Sequence, residues 1–195
     1  MKFGRVCVAV GVGFGVAASM AGPVGAQQQK AQISDKTVVT LMDYAWALTP
    51  EEYTTESSKI IRINKNKFEE VKLPLDDARE VIRVARISGQ AQLCELIEAQ
   101  SANYEALMTR ELARAKWTDQ QLVFINKLHL FTVMTITGQV EAADSAKVMP
   151  KEGPPKKAVN CSEADRKRIG DEIVAYVTAT NAASAAKAGP SEKKK

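Results

Sequence analysis

The chain contains one histidine, His129, and this side chain is the first candidate for acid–base chemistry. A serine or cysteine hydrolase needs a nucleophile beside an imidazole and a third group that orients the ring. No serine of the sequence lies in a G-x-S-x-G setting. On a helix, the neighbours of His129 would be Ile125, Asn126, Thr132 and Val133. We therefore expect a hydrogen-bonded histidine in or beside the core, and a hydrolase that uses His129 with nearby carboxylates is the less favoured hypothesis.

Methionine and carboxylate side chains are the other candidates for ligands or acids. Thioether and imidazole groups bind Cu(I), but the methionines stand singly on apolar stripes, without an M-x-x-M cluster: Met42, Met108, Met134 and Met149. The carboxylates of the first half of the chain lie where helix caps and solvated faces are expected, and Asp76 with Asp77 fits a helix start. The sequence therefore predicts no catalytic residue, no metal ligand and no cofactor.

Two cysteines, Cys94 and Cys161, follow the first 26 residues, whereas Cys7 lies within them. The chain has no C-x-x-C motif, so a metal pair would lack clustered ligands. In an oxidising compartment an even pair favours one disulfide over two free thiols. Such a bridge would stabilise the fold by roughly 4 kcal/mol on the chain-entropy estimate. We predict that Cys94 and Cys161 form a structural disulfide.

The first 26 residues have the pattern of a secretory signal peptide. Lys2 and Arg5 provide its positive start, residues 6–18 are apolar, and Val24-Gly25-Ala26 supplies small residues for a signal peptidase. An uncleaved anchor is the alternative, because residues 6–29 are long enough to span a bilayer of roughly 30 Å. We expect cleavage near Ala26 and a soluble periplasmic or secreted protein without stable membrane insertion.

Charge excludes one large class of partners. Residues 27–180 carry 21 basic and 22 acidic side chains, so the net charge of +4 comes from the leader and the lysine-rich end of the chain. A nucleic-acid-binding protein needs basic residues clustered on its folded surface, because phosphate contacts supply most of its affinity. We expect no nucleic-acid partner.

Sparse glycine after residue 26 and long stretches with helical spacing predict an all-α fold, an irregular bundle of four or five helices. An extended or hairpin-like insertion is expected at about 55–74. The main helical domain would cover 27–138, followed by a flexible proline-rich linker over 139–160. A helix over 161–180, docked by the disulfide, and a disordered basic tail over 181–195 would complete the chain.

Capping residues and apolar periodicity set the predicted element boundaries. Serine, threonine or aspartate caps predict helices over 34–48, 77–88, 119–137 and 162–180, and Gly138 is expected to end the third of these. Gly89 is expected to weaken or bend the helix over 77–88, and a second helix is expected to follow over 91–115. The sequence Thr49-Pro50 predicts a short helical turn, and residues 60–73 fit a hairpin and an extended loop equally well.

The function expected from these features is binding without chemistry. The favoured hypothesis is an exported interaction or accessory protein that contacts an unknown protein partner through a helix face or residues 60–73. The alternative is a carrier that encloses a small apolar ligand within the bundle. Six aromatic residues would line such a cavity, although core packing is the favoured interpretation: Tyr44, Trp46, Tyr104, Trp117, Phe124 and Phe131.

Overall fold

The computed structural model describes residues 33–142, 148–150 and 160–188. The leader predicted over 1–26 lies outside these residues. Within them the chain forms six helices: α1 (Asp35–Leu48), α2 (Phe68–Val71), α3 (Leu75–Leu93), α4 (Ile97–Ala113), α5 (Asp119–Ile136) and α6 (Glu163–Ala188). Four short strands form two antiparallel pairs: β1 (Glu52–Thr54) with β2 (Ile60–Arg62), and β3 (Val140–Ala142) with β4 (Val148–Pro150). The predicted all-α bundle is confirmed.

Helix α3 lies at the centre of the bundle and packs against α1, α4, α5 and α6. The largest fully buried side chains include Met42 of α1, Ile82 of α3, Leu107 of α4, and Phe124 and Phe131 of α5. Helix α5, the most apolar segment of the described chain, is therefore a core helix. None of the helices in the described residues is both long and apolar enough to cross a membrane.

The predicted helix starts are confirmed at three caps. The hydroxyl oxygens of Ser34 and Ser162 accept hydrogen bonds from backbone N–H groups three residues later, at 3.2 and 3.1 Å. Thr118 and Gln121 form a reciprocal capping box at the start of α5. Helix α5 ends as predicted at Gly138, which has φ 71° and closes a Schellman motif in which the N–H of Gln139 donates to Met134 O.

The break predicted at Gly89 is wrong, because α3 continues through this glycine to Leu93. A second Schellman motif ends α3 instead: the N–H of Leu96 donates to Ala91 O at 2.8 Å, and Glu95 takes the left-handed conformation with φ 60°. The usual signal for this motif is glycine, and here glutamate occupies the position. The low helix propensity of glycine therefore placed the end of this helix at Gly89, whereas the left-handed residue that ends it is Glu95.

Gly89 serves helix packing instead. A Cβ atom at this position would lie 2.8 Å from Cβ and Cγ2 of Ile136, on α5. Because Gly89 has no side chain, α3 and α5 can approach each other closely at the point where the branched side chain of Ile136 faces α3. By contrast, a Cβ added at Gly170 of α6 would meet no atom within 4 Å.

These two helical glycines make a matched pair for a stability measurement. We expect Gly89→Ala to lower the free energy of unfolding by about 1–3 kcal/mol, because overpacking outweighs the gain in helix propensity. Gly170→Ala should raise it by about 0.5–1 kcal/mol, because only the propensity changes. Urea unfolding followed by circular dichroism measures both. An equal gain in the two variants would contradict the packing role of Gly89.

Helix α6 is joined to the bundle by the predicted disulfide. Cys94, at the end of α3, and Cys161, before α6, are bonded with a Cα–Cα distance of 5.5 Å. Ile169 and Ile173 of α6 are buried beside Ala91 and Cys94. The helix was predicted to end near Thr180 but continues to Ala188, since the alanine-rich residues beyond Thr180 have high helix propensity. Residues 181–188 therefore do not belong to the disordered tail predicted over 181–195.

The insertion after α1 is a hairpin, but it is not formed within residues 60–73, where a hairpin was one of the two expectations. Residues 60–62 pair with 52–54, so Tyr53 lies opposite Ile61. The helical turn predicted from Thr49-Pro50 is therefore wrong, because this segment enters β1. Residues 68–71 of the ambiguous stretch form the single turn α2. Residues 140–142 and 148–150, within the segment predicted as a flexible linker, form the second strand pair.

Candidate functional site

Helices α4 and α5 pack on the same central helix but make few contacts with each other. The space between them is closed at one end by the β1–β2 hairpin. This arrangement leaves a cavity of about 670 Å³, which we call the hairpin groove. Its lining residues come from these three elements: Tyr53, Thr55, Glu56, Ser57, Lys59, Ile61, Tyr104, Glu105, Met108, Thr109, Leu112, Asp119, Leu122, Val123 and Asn126.

One wall of the hairpin groove is apolar. Met108 and Leu112 of α4 face it from one side, and Leu122 and Val123 of α5 from the other. Leu112 is 58% exposed, although it is a large apolar residue in the last turn of a helix. The groove therefore offers apolar surface to a bound molecule.

The charged residues of the hairpin groove are predominantly acidic. Lys59 Nζ forms an ion pair with Asp119 Oδ2 at 2.6 Å, which neutralises the one basic residue of the lining. Glu56 and Glu105 are exposed and form no ion pair with any other described residue. Two carboxylates of the groove thus remain without a cationic neighbour in the lining.

A second cavity of about 300 Å³ continues along the same space between α4 and α5. It is lined by Gln100, Ser101, Tyr104, Asn126, His129, Leu130 and Val133. Tyr104 and Asn126 belong to both cavities, and the Asn126 amide donates a hydrogen bond to the Tyr104 hydroxyl. This bond lies at the boundary between the two spaces.

His129 lies at the second cavity within a buried polar network. Asn103 Nδ2 donates to Ser88 Oγ at 2.9 Å and to the carbonyl oxygen of Val84 at 3.0 Å. Ser88 Oγ lies 3.1 Å from His129 Nε2. The tautomer of the His129 ring decides which of these two atoms donates the hydrogen bond. The network joins α3, α4 and α5.

The imidazole of His129 is neutral because it is buried. Burial lowers its pKa from 6.5 to about 4, and no charged group among the described residues offsets this effect. Ser88 is fully buried in the middle of α3, so its hydroxyl cannot reach a substrate. The prediction of a hydrogen-bonded interior histidine is confirmed, and the geometry does not favour a serine nucleophile.

Replacing His129 by a residue that does not titrate should reduce the dependence of the free energy of unfolding on pH. Between pH 6.5 and 4 the unfolded chain protonates His129 and the folded chain does not, so the free energy of unfolding falls as the pH is lowered. We expect the contribution of the histidine to this loss to be on the order of 2–3 kcal/mol in the wild type and absent in His129→Gln, which keeps only the smaller loss from carboxylates such as Glu80. Urea titrations at pH 7 and pH 4.5 measure the difference. Equal losses in the two proteins would contradict the assignment.

A second polar cluster joins α3 to α4. Glu80 Oε1 accepts from Arg83 and from Arg110 at 2.7 Å each, and the hydrogen bond from Arg83 is the largest cause that lowers the pKa of Glu80 to about 2. Glu111, which is 2% exposed, accepts from Trp117 Nε1 at 2.6 Å and pairs with Arg114. Each carboxylate in this cluster has at least two partners, so its charges support helix packing and leave no acid free for catalysis.

The residues considered for chemistry in the sequence are distributed over separate parts of the fold. Met42 is fully buried, Met134 packs against the core and Met108 lines the hairpin groove. Met149 lies in β4, and Asp76 and Asp77 lie in the first turn of α3. Within residues 33–142, 148–150 and 160–188, no three histidine, cysteine, aspartate or glutamate side chains form a group that could hold a metal ion.

Five of the six aromatic candidates pack in or against the main core, as the favoured interpretation predicted: Tyr44, Trp46, Trp117, Phe124 and Phe131. Tyr104 is the exception, because it lines both cavities. The sequence did not indicate Tyr53, Ser88 or Asn103. Their role depends on contacts between elements far apart in sequence, and no local motif marks such contacts.

Comparison of the chain with protein families, with curated proteins and with solved structures finds no match. The geometry of the hairpin groove therefore carries the functional proposal.

Proposed function

We propose that this protein is an exported, non-enzymatic binding protein that takes a ligand with an apolar part in the hairpin groove. The cavity of about 670 Å³ with its apolar wall is the observation that carries this proposal. Ligand sites in proteins usually occupy about 300–1,000 Å³ and combine apolar walls with a few polar groups. The hairpin groove has both properties.

The groove favours the carrier hypothesis over an interaction through a flat helix face. The large apolar residues that are most exposed among those described are distributed over the hairpin, α4, α5 and α6: Ile60, Ile97, Leu112, Leu130 and Val174. Leu112 and Leu130 line the two cavities, whereas the others lie on the hairpin, at the start of α4 and on α6. Scattered apolar residues are ordinary on a protein surface, but a concave apolar wall is not.

Three groups of the described residues that could act as acids or bases are held in structural contacts, which supports binding without chemistry. His129, the one histidine, has its Nε2 engaged by a serine that is fully buried. Glu80 and Glu111 are held by arginines, as described above.

Filling the groove with a large side chain should abolish ligand binding. Thr109 is exposed and lines the groove, so Thr109→Trp adds volume there without entering the core. We expect the neutral apolar dye Nile red to bind the wild type with a gain in fluorescence, and at least about tenfold more weakly to Thr109→Trp.

A matched variant separates the groove from non-specific adsorption of the dye. Thr178 is exposed on α6 and does not line either cavity, so Thr178→Trp should bind Nile red like the wild type. Absence of dye binding to the wild type, or equal binding to both variants, would refute the proposed site.

Export is the second part of the proposal. The disulfide between Cys94 and Cys161 is compatible with an oxidising compartment, and the leader pattern of residues 1–26 indicates the route. Both features agree with a periplasmic or secreted protein.

One intact-mass measurement tests the leader and the disulfide together. Protein purified from the exported fraction should begin at Gln27, and should therefore lack Cys7. It should react with iodoacetamide at no cysteine before reduction and at both remaining cysteines after reduction. A chain that begins at Met1, or one that is alkylated at Cys94 and Cys161 without reduction, would contradict export with a closed disulfide.

A further inference from the structure

We infer that the hairpin groove selects ligands whose apolar body carries a cationic head group, such as a quaternary or primary alkylammonium ion. This inference rests on the proposed function, because it specifies the class of ligand that the same groove takes.

The balance of charge in the lining carries the first part of the argument. Lys59 is paired with Asp119 at 2.6 Å, so this pair adds no net charge to the groove. Glu56 and Glu105 remain, one on the hairpin and one on α4, and no ion pair within the described residues neutralises either of them. The lining therefore carries two negative charges that a cationic ligand would compensate.

The two tyrosines of the lining add a second recognition element. Tyr53 and Tyr104 both face the hairpin groove, and the electron-rich face of an aromatic ring attracts cations. Lys127, which is outside the lining, already places Nζ 5.3 Å from the centre of the Tyr53 ring. This cation occupies the Tyr53 ring, whereas no cation of the described residues lies over the Tyr104 ring, so Tyr104 is the ring that is open to a cationic ligand.

Glu56 lies close enough to Tyr104 for the two to interact. The pKa of the Tyr104 hydroxyl is raised, mainly by burial and in smaller part by Tyr53 and by the negative charge of Glu56. Glu56, Tyr53 and Tyr104 thus surround the same region of the groove. A head group held there would leave its apolar body against Met108, Leu112 and Leu122.

Three probes with the same chain and different head groups test the inference. Octyltrimethylammonium, octanol and octanoate, each below its micellar concentration, are titrated against the full chain by calorimetry and by displacement of Nile red. We expect octyltrimethylammonium to bind about tenfold more tightly than octanol, and octanoate to bind most weakly. The preference for the cation should decrease as salt is added, because the carboxylates are exposed.

Paired variants assign the preference to the groove. The double variant Glu56→Gln with Glu105→Gln should reduce the advantage of octyltrimethylammonium over octanol to within about twofold, with octanol affinity unchanged. The control changes net charge equally outside the lining, by Asp43→Asn with Glu163→Gln, and should keep the wild-type preference. Urea midpoints check that all variants fold.

The possible results separate this inference from the proposed function. Equal binding of octanol and octyltrimethylammonium, or tighter binding of octanoate, would overturn the inference while the Nile red result with Thr109→Trp still supports the groove. Loss of the cation preference in the control variant would also overturn it, because bulk charge would then be the cause. If neither Nile red nor any octyl probe binds, the proposed function fails together with the inference.

Discussion

The packing of α4 and α5 on one shared helix is the constraint on which the site depends. Both helices bury their apolar faces against α3, and the approach of α5 is close because Gly89 has no side chain opposite Ile136. Because α4 and α5 make few contacts with each other, the space between them stays open and becomes the hairpin groove. If α4 packed against α5 as closely as it packs against α3, its side chains would fill this space.

Helix α4 is held by polar contacts with α3 and by packing against α6, and α6 is in turn joined to α3 by the disulfide. Glu80 and Glu111 bind arginines of α3 and α4, and α6 packs along α4. The Cys94–Cys161 bond joins the start of α6 to the end of α3. Packing between α4 and α5 contributes little to holding these helices in place. The ion pairs and the disulfide therefore help to stabilise the arrangement in which the groove between them is open.

Polar groups in this fold lie in two kinds of environment that the sequence does not distinguish. Asn103 and His129 are both buried and both hydrogen-bonded to Ser88, which holds α3, α4 and α5 in one arrangement. Glu56 and Glu105 are exposed at a concave surface without partners among the described residues, which suits recognition of an external group. A polar group that supports the fold differs from one that is available to a ligand in whether its hydrogen bonds and charge are already satisfied within the protein. The residue type alone does not show this.

The sequence alone determined the helical class, the capped starts of α1, α5 and α6, and the end of α5 at Gly138, since each of these depends on residues close together in the chain. It also determined the disulfide, because only two cysteines follow the leader and each has no other partner there. Tertiary structure alone decided the break at Glu95, because a left-handed glutamate carries no glycine-like signal. It also decided that 52–54 pairs with 60–62, and that Tyr53, Glu56 and Tyr104 meet at one groove. Those residues come from separate elements, and only the packing of these elements brings them together.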